Sequence, residues 1–334
     1  MSTGFNVAIA GATGAVGAEL IRLLEEREFP VRQLKLLASA KSVGKSLEFK
    51  GERVRVELLS ENSFKGVDFA LFSAGAGTSK QFASCAVACG AVVVDNSSAF
   101  RMEEEVPLVI PEINAVDISA QRGIIANPNC TTIIALMALY PLHREFGVRR
   151  VVASSYQAVS GAGARAINEL SRQAKAHLQG EKVEPEIFPY PIAFNVLPQV
   201  DIFLQSGYTK EEVKFVNESR KIMHHPTLRA SITCVRVPVF RAHSVAVHAE
   251  FERPVSVESA RDVLAKFPGL EVVDNAELRQ YPMPLNCASR NDCQVGRIRL
   301  DSALDNGLAF WVCGDQLLKG AALNALQIAE NLVR

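Results

Sequence analysis

Val7-Ala-Ile-Ala10-Gly11-Ala-Thr13-Gly14-Ala15-Val16-Gly17-Ala-Glu-Leu-Ile-Arg-Leu-Leu-Glu25 reads in order as a strand, a glycine turn and a helix. Val7–Ala10 is a short apolar strand, and the residues from Ala18 to Glu25 carry a helical pattern. A glycine motif is informative in this context. Glycines let the backbone approach a pyrophosphate, and the helix start offers N–H groups that have no partner in the helix. The spacing is G-x-x-G-x-x-G, a variant of the more usual G-x-G-x-x-G. Gly11, Gly14 and Gly17 therefore predict a dinucleotide site.

Moving outward, the alternation of strand and helix continues. Val67–Ser73 is a strand, Ala74–Gly77 a second glycine turn, Ser79–Cys89 a helix and Ala91–Asp95 another strand. Such βαβ succession predicts a parallel, doubly wound sheet of Rossmann type. Ligands on these sheets bind at the carboxyl ends of the strands, which puts Ser73, Gly75 and the Asn96–Arg101 loop on the rim. The strand Gln33–Ala38 ends where an NAD site usually carries an acidic residue for the ribose hydroxyl. Here Ser39, Lys41, Ser42 and Lys45 follow instead, hydroxyls and cations that suit a 2′-phosphate and favour NADP.

In the middle of the chain Asn127-Pro-Asn129-Cys130-Thr-Thr132 leads into Ile133-Ile-Ala-Leu-Met-Ala-Leu. A thiol at a loop-to-helix junction lies where helix N–H groups and partial positive charge favour the thiolate. Cys130 is thus a candidate nucleophile, with a buried core cysteine as the alternative. The helix is expected to run to Phe146 and a strand from Val151 to Tyr156. Gln157 and Ser160 follow at a further glycine turn, then a helix from Ala164 to Leu178. Residues 180–209 are loop-rich, with prolines at 185, 189, 191 and 198. Lys210–Met223 reads as a helix with Glu211 and Lys214 on one face. Strands are expected at Ile232–Val237 and Ser244–Phe251. The proline between them makes a bend, so that Arg236 and His243 flank it and face one cleft. Histidine exchanges protons near neutral pH, although a lone histidine is as readily a surface or core residue. Val255–Phe267 reads as a helix, Gln294–Leu300 and Leu308–Cys313 as strands, and a final amphipathic helix ends at Arg334 and returns to the first domain.

Composition bounds the class. The 334 residues suffice for about two domains, and 48% hydrophobic with 22% charged residues is ordinary for a globular protein. Lys+Arg and Asp+Glu balance at 36 each, so no global field recruits nucleic acid or an anionic membrane. The apolar stretch Ile133–Tyr140 is too short to span a bilayer, and Met1–Asn6 lacks the basic start and apolar middle of a signal peptide. Seven cysteines with no C-x-x-C pair suit reduced thiols in a cytoplasmic protein, and Cys85 and Cys89 read as helix packing; no metal site is expected.

Taken together the chain closely resembles aspartate-β-semialdehyde dehydrogenases. The resemblance lies in G-A-T-G-A-V-G at 11–17, D-N-S-S-A-F-R-M at 95–102, N-P-N-C-T-T at 127–132, S-Y-Q-A-V-S-G-A-G at 155–163, N-V-L-P-Q at 195–199 and C-V-R-V-P-V-F-R-A-H-S at 234–244. It implies an NADP-binding domain over 1–130, completed by 314–334, and an α+β catalytic and dimerisation domain over 131–313. It implies Cys130 as nucleophile, His243 as acid/base and Gln157 orienting the reacting centre. Arg236 would grip the substrate carboxylate and Glu211 the amino group, Arg101 and Lys214 would hold phosphate, and Asn129 would join the substrate contacts. Thr13, Gly14, Ala15, Val16, Ser39, Lys41, Ser42, Ser73, Gly75, Ser160, Gly161 and Gln316 would serve NADP, with Gly11 and Gly17 shaping the turn. Implied partners are small molecules and a second copy of the chain, as a homodimer or homotetramer. The family commonly reads D-N-L-R-K-G where this chain has Asp315-Gln316-Leu-Leu-Lys-Gly320, and arginine is frequent where Lys41 stands. N-acetylglutamyl-phosphate reductases share the thiol, histidine and acyl-phosphate logic, but an acetylated amine would gain nothing from Glu211. A catalytically silent nucleotide-binding relative is the remaining alternative.

Overall fold

The computed structural model describes residues 4–333, which divide into two compact units, 4–129 with 321–333 and 130–320. The Met1–Thr3 part of the expected leaderless start, and the final residue of the expected C-terminal helix, lie outside the described residues.

The first unit is built on seven strands, β1 (Phe5–Ala10), β2 (Val31–Ala38), β3 (Ser46–Phe49), β4 (Glu52–Leu58), β5 (Phe69–Phe72), β6 (Val92–Asp95) and β7 (Ile124–Ala126). They lie in the order β3-β4-β2-β1-β5-β6-β7. All neighbours are parallel except β3 and β4, a hairpin that the reading of the chain as purely parallel missed. Its two-residue turn, Lys50 and Gly51, has both residues at positive φ (51° and 77°), which matches the twist of paired strands. The order reverses beside β1, so the crevice between the ends of β1 and β5 is the switch point where such sheets take ligands. There the two loops nearly touch. A Cβ on Gly11, whose φ is +91°, would lie 2.4 Å from the Ser73 carbonyl oxygen. Gly17 is required for a different contact: its Cβ would sit 2.4 Å from the Gly11 oxygen. Helix α1 (Ala15–Glu26) therefore begins tight against the end of β1.

Helices α2 (Ala76–Ala88) and α3 (Pro111–Asn114) follow in this unit, and the C-terminal helix (Leu323–Leu332) belongs to it as well. Arg27 donates to both carboxylate oxygens of Glu330 at 2.6 and 2.7 Å. Asn324, fully buried, donates to the Val109 carbonyl (2.9 Å) and to the Asn127 side chain (2.7 Å), steadying the loop that leads to Cys130.

The second unit carries a six-stranded sheet of β8 (Val148–Gln157), β9 (Arg229–Arg236), β10 (His243–Phe251), β11 (Leu270–Val272), β12 (Cys293–Leu300) and β13 (Gly307–Gly314), in the order β11-β12-β13-β10-β8-β9. Helices α4 (Cys130–Phe146), α5 (Ala164–Leu178), α6 (Lys210–Ile222), α7 (Val257–Ala265) and α8 (Pro284–Cys287) accompany it. Helix α4 is apolar almost all round and correspondingly buried along its length, between the sheet and α6 and α7. The opposite sheet face is open, with Val152 and Tyr156 exposed and Tyr156 against Trp311 at 5.1 Å between ring centroids. Residues 314–320 stay with this unit, where one π-helical turn (Leu318–Ala322) precedes the C-terminal helix.

Candidate active site

Strand direction gathers the second unit's candidate residues. β8 and β9 run parallel, and their register pairs Gln157 with Arg236 at their carboxyl ends. β10 runs antiparallel to β8, so its first residue, His243, enters at the same sheet edge where β8 and β9 leave. Cys130 is the first residue of the 17-residue helix α4. Four residues distant in the chain thus belong to one unit, three of them at one edge of its sheet.

The backbone of Ala158 ties two of them together. Its N–H donates to His243 Nδ1 at 3.0 Å, and its carbonyl accepts from Arg236 Nη1 at 2.7 Å. A ring nitrogen that accepts an N–H keeps its lone pair, so the neutral imidazole carries its hydrogen on Nε2. His243 is fully buried, and among the described residues Nε2 has no hydrogen-bond partner. Burial, and then the charge of Arg236, holds the ring well below the usual histidine range. Arg236 is itself buried, which pulls the guanidinium down from its ordinary value, while the negative potential of Glu211 and Cys130 works the other way. Its guanidinium carbon sits 5.8 Å from the Phe188 ring centre.

Gln157 is buried and held from both sides. Its Oε1 accepts from Ser155 Oγ at 3.0 Å, and its Nε2 donates to Glu211 Oε1 at 3.1 Å. Glu211 also meets Lys214 Nζ at 3.1 Å, and Lys214 reaches Asp201 at 2.8 Å. Burial opposes the Lys214 charge, but Glu211 and Asp201 more than offset it and hold the amine above its ordinary value. The start of α6, which carries Glu211, is fixed by a capping box. Thr209 N–H donates to Glu212 at 2.6 Å, Glu212 N–H donates back to Thr209 Oγ1 at 3.3 Å, and Glu212 takes the Cys234 N–H of β9 at 3.0 Å.

Two glycines mark close approaches. A Cβ on Gly161 would lie 3.0 Å from Arg236 Nη1 and 3.3 Å from His243 Nε2, so this glycine keeps open the space in front of both. A Cβ on Gly320 would lie 2.9 Å from the Cys130 Cβ, so the 316–320 turn is seated against the thiol-bearing residue. The backbone at Gly161 is outside the left-handed region, and alanine fits its conformation. Gly161→Ala is expected to raise the substrate KM about tenfold, with the melting temperature nearly unchanged. Steady-state kinetics beside a thermal melt checks this, and an unaltered KM would show that nothing binds there.

The neutral burial of His243 has a signature in stability. Below about pH 6.5 the unfolded chain binds a proton that the folded site refuses, so unfolding free energy falls as pH falls toward the folded-state value. His243→Asn is expected to remove up to about 1.4 kcal/mol per pH unit of that loss. His143, also lowered by burial and by His225, keeps its own contribution. Urea denaturation of both proteins at pH 5.5 and 7 measures the difference; equal slopes would refute it.

In the first unit Gly14 caps α1 without a side-chain hydrogen bond, and the first turn holds no acidic residue, which suits a phosphate. Thr13 Oγ1 and Ser42 Oγ are 3.2 Å apart, with Ala15 and Val16 opening the helix. Lys41 lies in the short turn Ala40–Ser42 just after β2, beside Ser39, and no carboxylate stands at the end of that strand. Gly75, at φ +85°, starts α2. These residues, at a helix start with no acidic side chain in its first turn, fit a dinucleotide with a 2′-phosphate. Arg101 is buried, giving Nε to the Asn127 carbonyl (2.9 Å) and Nη2 to the Asn96 carbonyl (2.8 Å). Asp95, fully buried, braces the same loop by accepting from Ser79 Oγ (2.7 Å) and Ser97 Oγ (2.6 Å). Asn129 is buried at the end of this unit's first segment.

Sequence reasoning missed Ala158, Ser155, Asp201, Asp315 and Gly320. Ala158 acts through backbone atoms that no side-chain pattern reveals. The others read as ordinary polar or turn residues; Ser155, Asp315 and Gly320 lie in segments singled out from the sequence, which gave them no role.

Residues 6–121 match the semialdehyde dehydrogenase NAD binding domain, and residues 139–319 the semialdehyde dehydrogenase dimerisation domain. An aspartate-semialdehyde dehydrogenase of Aquifex aeolicus is 52% identical over 99% of this chain and 98% of its own length. The chain belongs to the aspartate-semialdehyde dehydrogenase family. A member from Synechocystis is 51% identical over 100% of this chain and 98% of its own. The crystal structure of aspartate semialdehyde dehydrogenase II from Vibrio cholerae, complexed with ASA, superposes with a TM-score of 0.97 at 45% identity. It covers 100% of this chain and 99% of that one. This family's two-domain α/β architecture is the one described above.

Proposed function

We propose that the chain is an NADP-dependent aspartate-semialdehyde dehydrogenase, which reduces L-aspartyl-4-phosphate to L-aspartate-4-semialdehyde and releases phosphate. The observation that carries the proposal is the Ala158 backbone holding His243 and Arg236 together, in the unit whose helix α4 begins at Cys130, in a chain similar to this family over its whole length. The first unit serves as the NADP-binding domain and the second as the catalytic and dimerisation domain.

Arg236 supplies a planar fork for the substrate's α-carboxylate, already steadied by the Ala158 carbonyl. Glu211, braced by Gln157 and Lys214, offers a carboxylate to the α-amino group. Arg101 and Lys214 are assigned to the phosphate, and Asn129 to the substrate contacts. Cys130 Sγ, as thiolate, attacks the acyl carbon; the S–C bond forms, the C–O bond to phosphate breaks, and phosphate leaves with the electron pair. Gly11–Gly17, Ser39, Lys41, Ser42, Ser73, Gly75, Ser160, Gly161 and Gln316 would hold NADPH, whose chemistry when bound would be hydride donation to the thioester, giving a thiohemiacetal. His243 faces the thiohemiacetal oxygen with Nε2 and holds or moves the proton there. Collapse then breaks the S–C bond, frees the aldehyde and returns the thiolate. The product enters lysine, methionine and threonine synthesis.

The assay is NADP reduction by aspartate semialdehyde, run with and without phosphate and with NAD in parallel. Turnover that depends on both aldehyde and phosphate, and prefers NADP, is expected; turnover without phosphate would defeat the assignment. Among the described residues no helix is long and apolar enough to cross a membrane. The balanced charge and the thiols outside any disulfide support a cytoplasmic enzyme acting on small molecules. The open face of the second sheet, with Val152, Tyr156 and Trp311, is the surface through which two copies pair. Sedimentation is expected to give a dimer or tetramer, with Val152→Glu shifting it toward monomer. A wild-type monomer at micromolar concentration would overturn this.

A further inference from the structure

The antiparallel ladder between β10 and β13 runs out at the pair His243–Gly314, and beyond it two side chains take over from the backbone. Asp315 and Gln316, the next two residues after β13, hold Arg241 and Ala242, the two residues before β10. Asp315 Oδ2 accepts from Arg241 Nε at 2.5 Å, and Gln316 Oε1 accepts from the Ala242 N–H at 2.8 Å. The other end of the Gln316 amide donates to Ser160 Oγ. Gln316 is buried, and so are both of its partners. Asp315 is itself rigid, taking N–H groups from Ser289 at 2.6 Å and Leu317 at 2.9 Å.

The residue being held is unusual. Ala242 has φ +71°, a left-handed conformation that is strained for a non-glycine residue and persists where its surroundings impose it. That reversal turns the chain into β10 at His243. The Gln316 carbonyl is the acceptor that satisfies the buried Ala242 N–H in that reversed conformation.

We propose that Gln316 is a positioning residue for His243. Its side chain bridges Ser160 and the Ala242 backbone, and so sets the entry of β10 and the direction of the imidazole. This rests on the function proposed above and goes beyond the cofactor contact assigned to Gln316 there, because both ends of its amide are committed to protein partners.

The test uses the full-length enzyme and Gln316→Met, which keeps volume and removes both hydrogen bonds. Expected is a fall in kcat of about ten- to a hundredfold, with the aldehyde KM within about threefold of wild type. Gln316→Glu, which can accept from both Ala242 N–H and the Ser160 hydroxyl, is expected to recover part of the rate. Long-range ¹H–¹⁵N spectra of the histidine rings, with His243 assigned through His243→Asn, should show its fixed Nε2–H tautomer in wild type and an averaged pattern in Gln316→Met. If Gln316→Met does not fold, Ser160→Ala removes one anchor and is read by the same spectra. A Gln316→Met enzyme with kcat within twofold of wild type, one that loses only NADP affinity, or an unaltered His243 tautomer pattern would each overturn the proposal. Wild-type failure in the phosphate-dependent assay would instead count against the function itself.

Discussion

Cys130→Ala is expected to lower turnover by about 10⁴-fold or more, because no other group in the second unit can form the thioester on which the two-step chemistry depends. Cys234 is no substitute. It is fully buried in β9, and burial pushes its thiol far up, away from thiolate at neutral pH. Cys287, Cys293 and Cys313 are likewise buried in the core. Cys130 alone combines partial exposure with the first position of a long helix. The variant should fold with a melting temperature close to wild type, since a half-buried residue at a helix start loses little packing. Single-turnover kinetics and mass spectrometry of the trapped acyl-enzyme decide the matter. An adduct on any other residue, or undiminished turnover, would remove Cys130 from the mechanism.

The second large effect is expected at Arg236. Replacing it with alanine removes the carboxylate grip, leaves Lys214 as the nearby opposing charge of Glu211 and frees the Ala158 carbonyl that the guanidinium now holds. Truncating one member of a buried, hydrogen-bonded charge set typically costs about 2–5 kcal/mol, or roughly 30- to several thousandfold in kcat/KM. Most of this should appear in KM, because the group binds the substrate end that does not react. Arg236→Lys should recover charge without the fork and fall between the two. His243 titration gives an internal control. With the Arg236 charge gone, one cause of the depressed imidazole is lost, so the ring should shift upward, although burial still holds it low. A kcat/KM within threefold of wild type for Arg236→Ala would show that the carboxylate is bound elsewhere.

The core elements of both sheets were legible because their signals are local. Glycine spacing after Val7–Ala10 is a constraint on backbone approach, and the structure shows which atoms impose it, the Ser73 and Gly11 carbonyls. Helices α4 and α5 begin and end where their apolar patterns do. Strand ends were less legible: β8 starts at Val148 and β9 at Arg229, both earlier than expected, since charged residues on the open face blur the pattern. The β3–β4 hairpin and the three-residue strands β7 and β11 escaped notice. Short strands carry too few residues for periodicity, and pairing alone makes them strands.

What the sequence by itself determined is the chemistry available: a thiol at a helix start, a glycine cradle without an acidic neighbour, an arginine and a histidine astride a proline bend. What only the tertiary structure decided is how those groups are held. The parallel register of β8 with β9 and the antiparallel entry of β10 bring Gln157, Arg236 and His243 to one edge. The Ala158 backbone then chooses which histidine nitrogen carries the hydrogen. Hydrogen bonds between backbone atoms and distant side chains depend on closure of the chain over scores of residues, and no local pattern of residue types encodes them.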